Sequence, residues 1–314
     1  MKKAVLLGFL MLPLALVAQQ GSEATPSGTV ATPETFPVES VLKPNVSDLY
    51  CSGFIGKALE HPSRFVTGGL DSPFSTEFAN NEVVYLHGGG YELGQEYTIV
   101  RELRDPDRYE MFKGQLQAIK AAGHPYEELA RVKVVDTRHK EAIANIEFTC
   151  DSVQPGDYAI PFVDKSTVEF HPPMRFDRFG PSSGQLSGHI LMAKDFDSEL
   201  GTGRKVYLNI GANQGLKVGD YLRAVRSYET IANDPVDSLS FKAPPMEPTQ
   251  VRQPSFDGSF LSMTNGPAIR TADMPTRAVG ELVIIGTTAN TATGMIVFSI
   301  EPVHIGDRVE LDRQ

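Results

Sequence analysis

The chain has 314 residues, of which 41% are hydrophobic and 22% charged, with a formal net charge of −10 and no tryptophan. That apolar content suffices for one large or two modest cores. The acidity excludes the basic face that nucleic-acid binding requires, because the longest basic clusters, at 138–140 and 204–205, are short and mixed with acids.

At the N-terminus Lys2 and Lys3 precede an apolar run from Ala4 to Ala18, interrupted by Pro13. The run is too short for a transmembrane helix, which needs roughly twenty residues, and ends on a small residue, so it reads as a signal peptide cleaved after Ala18. Losing Lys2 and Lys3 leaves the remainder more acidic by two charges. No cysteine follows the run to accept a lipid. The expected product is an exported protein, periplasmic or associated with the cell envelope, with no transmembrane segment in the mature chain. Residues 19–45, rich in Pro, Ser, Thr, Gly and Ala, have little to bury and read as a flexible leader.

Two segments further on align without gaps. Residues 130–158 match 280–308, with Thr137, Ala142, Ile146, Phe148, Val153, Gly156 and Asp157 repeated 150 positions later. Both copies alternate apolar and polar residues, as Val132 and Val134 or Leu282 and Ile284 illustrate, which predicts half-buried strands joined as a hairpin. Upstream, 83–101 matches 205–226 after a three-residue gap, and Ser52 to Ile55 is matched to Ser187 to Ile190. The matching pieces keep the same order, which predicts a mainly all-β fold made by tandem duplication of a small β-barrel-like domain. The expected units are 46–163 and 187–312, joined by a linker at 164–186 that contains His171 beside two prolines.

Each unit carries an insert. In the first, 106–122 (PDRYEMFKGQLQAIKAA) places Tyr109, Phe112, Leu116 and Ile119 at spacings of three and four, an amphipathic helix expected to cover its own barrel. In the second, 227–277 shows no sustained period and reads as a long irregular loop. Both inserts occupy the same place in their units, which makes that edge the expected site for binding a cell-envelope protein or a peptidoglycan-associated partner.

Turns of the form apolar-x-Gly-Asp recur at Gly156-Asp157, Gly219-Asp220 and Gly306-Asp307, with a decayed copy at Gly94-Gln95. Glycine supplies positive φ and the aspartate accepts turn amides, so these carboxylates read as structural rather than catalytic. Two cysteines in an exported chain suggest a disulfide between Cys51 and Cys150. In the alignment Cys51 stands where Leu186 does and Cys150 where Ile300 does, so the bond follows if those two are packed neighbours. The alternative is two buried free thiols.

The pattern VYLNIGANQGLKVGDYLRAVR, followed after an insert by GELVIIGTTANTATGMIVFSIEPVHIGDRVEL, resembles the C-terminal β-domain of the flagellar assembly protein T family. It is also similar to a β-domain downstream of LysM modules in exported bacterial proteins. The resemblance covers roughly 187–311 and, more weakly, 52–162. It implies a non-enzymatic role in cell-envelope assembly or scaffolding.

An enzymatic alternative comes from a different motif set. His87 to Tyr91 (HGGGY) resembles the oxyanion segment of lipases and esterases, and Gly180 to Gly184 fits G-x-S-x-G around Ser182. In that reading Ser182 attacks an ester, the amides near Gly88 and Gly89 stabilise the oxyanion, and His304 with an aspartate such as Asp257 serves as base and orienter. The context disagrees, since polar coil precedes Ser182 and a strand rather than a helix follows it. There is no zinc-spaced cysteine pair, H-E-x-x-H, P-loop or dinucleotide fingerprint, so no cofactor or metal is expected.

Overall fold

The computed structural model describes residues 43–104, 110–169, 176–227 and 275–312. The segment read as a signal peptide, most of the leader and nearly all of the long loop in the second unit lie outside them.

The elements are, in chain order, α1 (Val46–Tyr50), β1 (Phe54–Gly56), β2 (Phe65–Gly69), β3 (Val83–His87), β4 (Glu96–Glu102), α2 (Gln115–Ala122), β5 (His124–Asp136), β6 (Ala142–Thr149), β7 (Tyr158–Pro161), β8 (Ser187–Ala193), β9 (Glu199–Leu200), β10 (Lys205–Leu208), β11 (Tyr221–Arg226), β12 (Arg277–Thr287), β13 (Ala292–Ser299), β14 (Val303–His304) and β15 (Arg308–Leu311). They form two closed six-stranded antiparallel barrels. The first runs β5-β4-β7-β2-β3-β6 and closes back on β5; the second runs β12-β11-β15-β8-β10-β13 and closes through β12. Substituting each strand for its counterpart makes the two orders identical.

The repeat extends to single hydrogen bonds. Cys150 N donates to Leu129 O at 2.6 Å, and Ile300 N donates to Val279 O at 2.9 Å. Val66 exchanges bonds with Asp157 O and Gly156 N (2.8 and 2.7 Å), as Ile190 does with Asp307 O and Gly306 N (3.0 and 2.9 Å). The second pair corrects the alignment upstream. The counterpart of Ile190 is Val66, not Ile55, because the first barrel begins at β2. Strand β1 is an addition, paired to β5 outside the ring. Closure removes the exposed edges that an open sheet leaves for aggregation.

A barrel of six strands is narrow enough to be filled by side chains. Val66, Leu86, Ile99, Val132, Val134 and Ile146 fill the first, and Val206, Leu208, Leu222, Leu282, Ile284 and Ile296 the second. Outside, the barrels differ. Strands β5 and β6 of the first alternate as expected, whereas β12 and β13 are buried on both faces. Val283, Ile285, Met295 and Val297 point away from the second barrel's interior and are covered by Leu49 and Tyr50 of α1 and by Val168 of the linker. The apolar run LVIIG records that double burial.

Segment 45–56 is therefore a wedge between barrels. Asn45 caps α1 and accepts from Asp48 N while the Asp48 carboxylate accepts from Asn45 N, a reciprocal capping box. Across the second barrel, Tyr207 donates to Ser52 O (3.1 Å), Thr293 to Gly53 O (2.9 Å) and Thr291 to Ile55 O (2.6 Å). Gly53 sits at φ +68°, and a Cβ there would lie 2.3 Å from the Tyr207 hydroxyl oxygen, so the close approach excludes any side chain. Lys205 of β10 pairs with Asp48 at 2.9 Å.

Candidate functional site

The helix in the first unit spans Gln115–Ala122, shorter than the sequence pattern suggested, between Gly114 and Gly123, both at positive φ. Gly114 offers no side-chain cap. The carboxylate of Glu110 accepts from Gly114 N and Leu116 N instead, and Gln115 turns inward, its Oε1 accepting from Met111 N (2.7 Å) and its Nε2 donating to Leu191 O (2.8 Å). Leu191 belongs to the second barrel. Phe112, Ala118, Ile119 and Ala122 likewise pack into the second barrel's cluster. The expectation that α2 covers its own barrel is thus corrected: it bridges to the other one. Tyr109 lies outside the described residues.

Bridging leaves a cavity of about 200 Å³ at the junction, lined mainly by apolar groups that include Leu103, Met111, Leu116, Ile119, Met192 and Phe196. Leu116 is 45% exposed at its mouth. Phe196 holds φ +60°, uncommon for a bulky residue, and its ring forms part of the wall.

The predicted disulfide is present, with Cys51 and Cys150 bonded across a sequence separation of 99. The premise used to predict it does not hold, since Ile300 is 40% exposed and Cys51 belongs to the added wedge rather than to a repeated strand. Gly156, Gly219 and Gly306 take φ of +99°, +94° and +94°. Asp157, Asp220 and Asp307 accept from the amides of Gln154, Lys217 and His304 at 2.6 to 2.8 Å.

Sequence reasoning missed the partners of two of these aspartates. Arg101 grips Asp157 through Nε and Nη2, both 2.8 Å, and Ser152 O; Arg226 grips Asp307 in the same way (3.0 and 2.7 Å) and Pro302 O. Such bidentate clamps fix the closing strand against β4 or β11. The signal was available, because YTIVR and YLRAVR end on aligned arginines.

Ser182 lies against the outside of the second barrel. Its hydroxyl donates to Glu310 (2.6 Å) and accepts from Arg308 (2.8 Å), and neither partner is a histidine. Burial alone would raise the Glu310 carboxyl, but hydrogen bonds from Ser182, Arg223 and Arg308 outweigh it and hold the pKa at about 2. His304 sits in β14 opposite Glu199, Gly88 and Gly89 belong to a loop of the first barrel, and Asp257 is outside the described residues. Among the described residues no group of three His, Cys, Asp or Glu is arranged to hold a metal ion.

Beside this network Glu281 of β12 is buried, and its Oε2 has no hydrogen-bond partner among the described residues. Its strand neighbour Arg223 is engaged by Glu310 instead. Burial, with repulsion from Asp312, pushes the Glu281 pKa up to about 7. A carboxyl raised on folding contributes stability below its unfolded value near 4.5 that is lost as pH rises through about 7. Glu281→Gln is therefore expected to be more stable than the parent above pH 7, on the order of 2 kcal/mol once screening is allowed for, with the difference vanishing below pH 4.5. Urea unfolding across that range reads it.

No protein-family model matches this chain, and a search of curated proteins returns no match.

Proposed function

We propose that this protein is an exported, non-catalytic binding and assembly module of the cell envelope, and that it engages its partner at the junction between the barrels. The observation that carries the reading is the apolar cavity beneath α2, built jointly by both barrels and opened by the half-exposed Leu116. A pocket of this kind suits an apolar anchor side chain from a partner, the arrangement in which most binding energy concentrates. Three further features support it. The N-terminal sequence reads as an export signal, a disulfide persists where thiols are not kept reduced, and 187–311 resembles envelope-assembly β-domains. Among the described residues no helix is long and apolar enough to cross a membrane.

The test is a crosslinking pull-down of the mature chain from its own envelope fraction, beside an ester-hydrolysis assay. A defined envelope complex, reduced about tenfold or more by Leu116→Asp and accompanied by no ester turnover, is the expected result. Ester turnover abolished by Ser182→Ala would sink the proposal.

A further inference from the structure

The first barrel has an open seam that its duplicate lacks. Strands β8 and β15 close the second barrel through Arg308↔His189, Val309↔Gly188 and Glu310↔Ser187, and then Leu311 N donates to Leu186 O at 2.8 Å. Their counterparts β2 and β7 pair at Phe65↔Tyr158, after which Ala159 N donates to Arg64 O at 3.0 Å and, among the described residues, no further backbone bond joins them. The residues equivalent to Leu186 and Leu311 are Pro62 and Pro161, neither of which has an N–H to donate. The amide of Arg64 is turned back on His61 O at 3.0 Å instead of continuing the ladder. The strands splay, leaving a groove of about 360 Å³ whose lining includes Phe54, Lys57, Leu59, His61, Arg64 and Ile160.

Charge singles out this groove. Every other described arginine lies within 4.0 Å of a carboxylate; among the described residues Arg64 has none. Nor do Lys57 and His61, and Glu60 is the only acid lining the groove. Arg64 is nevertheless held in place. Its Nε donates to Gly89 O at 2.9 Å, and its guanidinium carbon stands 5.5 Å from the centre of the Tyr91 ring. A Cβ at Gly90 would fall 2.4 Å from Nη2, so the glycine run that resembles an oxyanion hole is the cradle of an arginine. Loop and ring position this guanidinium without neutralising it, which leaves its fork available to a carboxylate.

We propose that this groove binds an extended acidic peptide, with a carboxylate on Arg64 and Lys57 and apolar side chains against Phe54, Leu59 and Ile160. An extended chain fits because the groove follows β7 past the point where β2 leaves it, and alternate side chains of such a chain face opposite ways. The site is separate from the junction cavity, and either reading can fail without the other.

The experiment titrates the mature chain with a labelled, capped pentapeptide of alternating glutamate and valine, its glutamine counterpart, and inorganic phosphate. The glutamate peptide is expected to bind saturably, at least about tenfold tighter than the glutamine peptide, and to weaken with salt. Arg64→Gln should cost about tenfold or more, Arg64→Lys less, and Lys57→Gln, a change at an exposed position, should weaken binding with unfolding behaviour unchanged. Equal affinity for the two peptides, no binding, or indifference to both Arg64→Gln and Lys57→Gln would overturn the proposal. Phosphate binding as tightly as the glutamate peptide would overturn it too, since a free-anion site would then explain the arginine.

Discussion

Replacing Cys51 by serine should lower stability by about 4 to 5 kcal/mol, read as a reduced urea midpoint with a changed slope. The bond closes a loop of 99 residues that contains the whole first barrel except its last strand. In the chain-entropy account, a cross-link of that span removes close to the largest amount of denatured-state freedom that one bond removes in a domain of this size. The consequence reaches further than the first barrel. Cys51 ends α1, and the next two residues give their carbonyls to Tyr207 and Thr293 of the second barrel, so the bond also anchors the wedge on which the inter-barrel contacts depend. Reduction of the parent protein should reproduce the loss. An unchanged midpoint in Cys51→Ser would show that packing alone holds the wedge.

The duplicated all-β fold was legible because barrel interiors impose a two-residue period, and because the Gly-Asp turns keep their spacing in both copies. What escaped has a physical reason in each case. The pair Ser52-Gly53 looked like the start of a repeated strand because Ser187-Gly188 opens β8, yet only hydrogen-bond register distinguishes β1 from β2. Helix α2 shows its apolar stripe in the sequence, but a stripe does not say which barrel it meets, and Gln115, the polar residue that reaches Leu191, looks like a surface position. Arg64 could not be singled out at all. Its significance lies in ten other arginines having carboxylates nearby, which is a property of the folded chain alone. The glycines of HGGGY are conspicuous in the sequence, but the absence of Cβ atoms serves an oxyanion and a guanidinium alike, and only the folded chain shows Gly90 lying against Arg64 Nη2.

A second large effect is expected at Lys165, in the linker after the first barrel. Its ammonium donates to both oxygens of Glu128 (2.6 and 2.7 Å), to Leu49 O (2.8 Å) and to Ser52 Oγ (3.3 Å). Glu128, on β5, is only 6% exposed and also accepts from Gly53 N and Ser52 Oγ. Among the described residues Lys165 is the only cation within 4.0 Å of the Glu128 carboxylate, and it ties linker, wedge and first barrel at one point. Lys165→Met should cost about 3 to 5 kcal/mol, because removing one partner leaves a charge in the interior, whereas the intact pair gains little over an apolar replacement. That asymmetry makes the prediction specific. Adding Glu128→Gln to Lys165→Met removes the stranded charge and should recover a large part of the loss, while Glu128→Gln alone should cost less than Lys165→Met alone. A double variant no more stable than Lys165→Met would mean that the loss comes not from a stranded Glu128 charge but from the ammonium's other contacts, its bonds to Leu49 O and Ser52 Oγ and its approach to 5.9 Å from the centre of the Tyr50 ring.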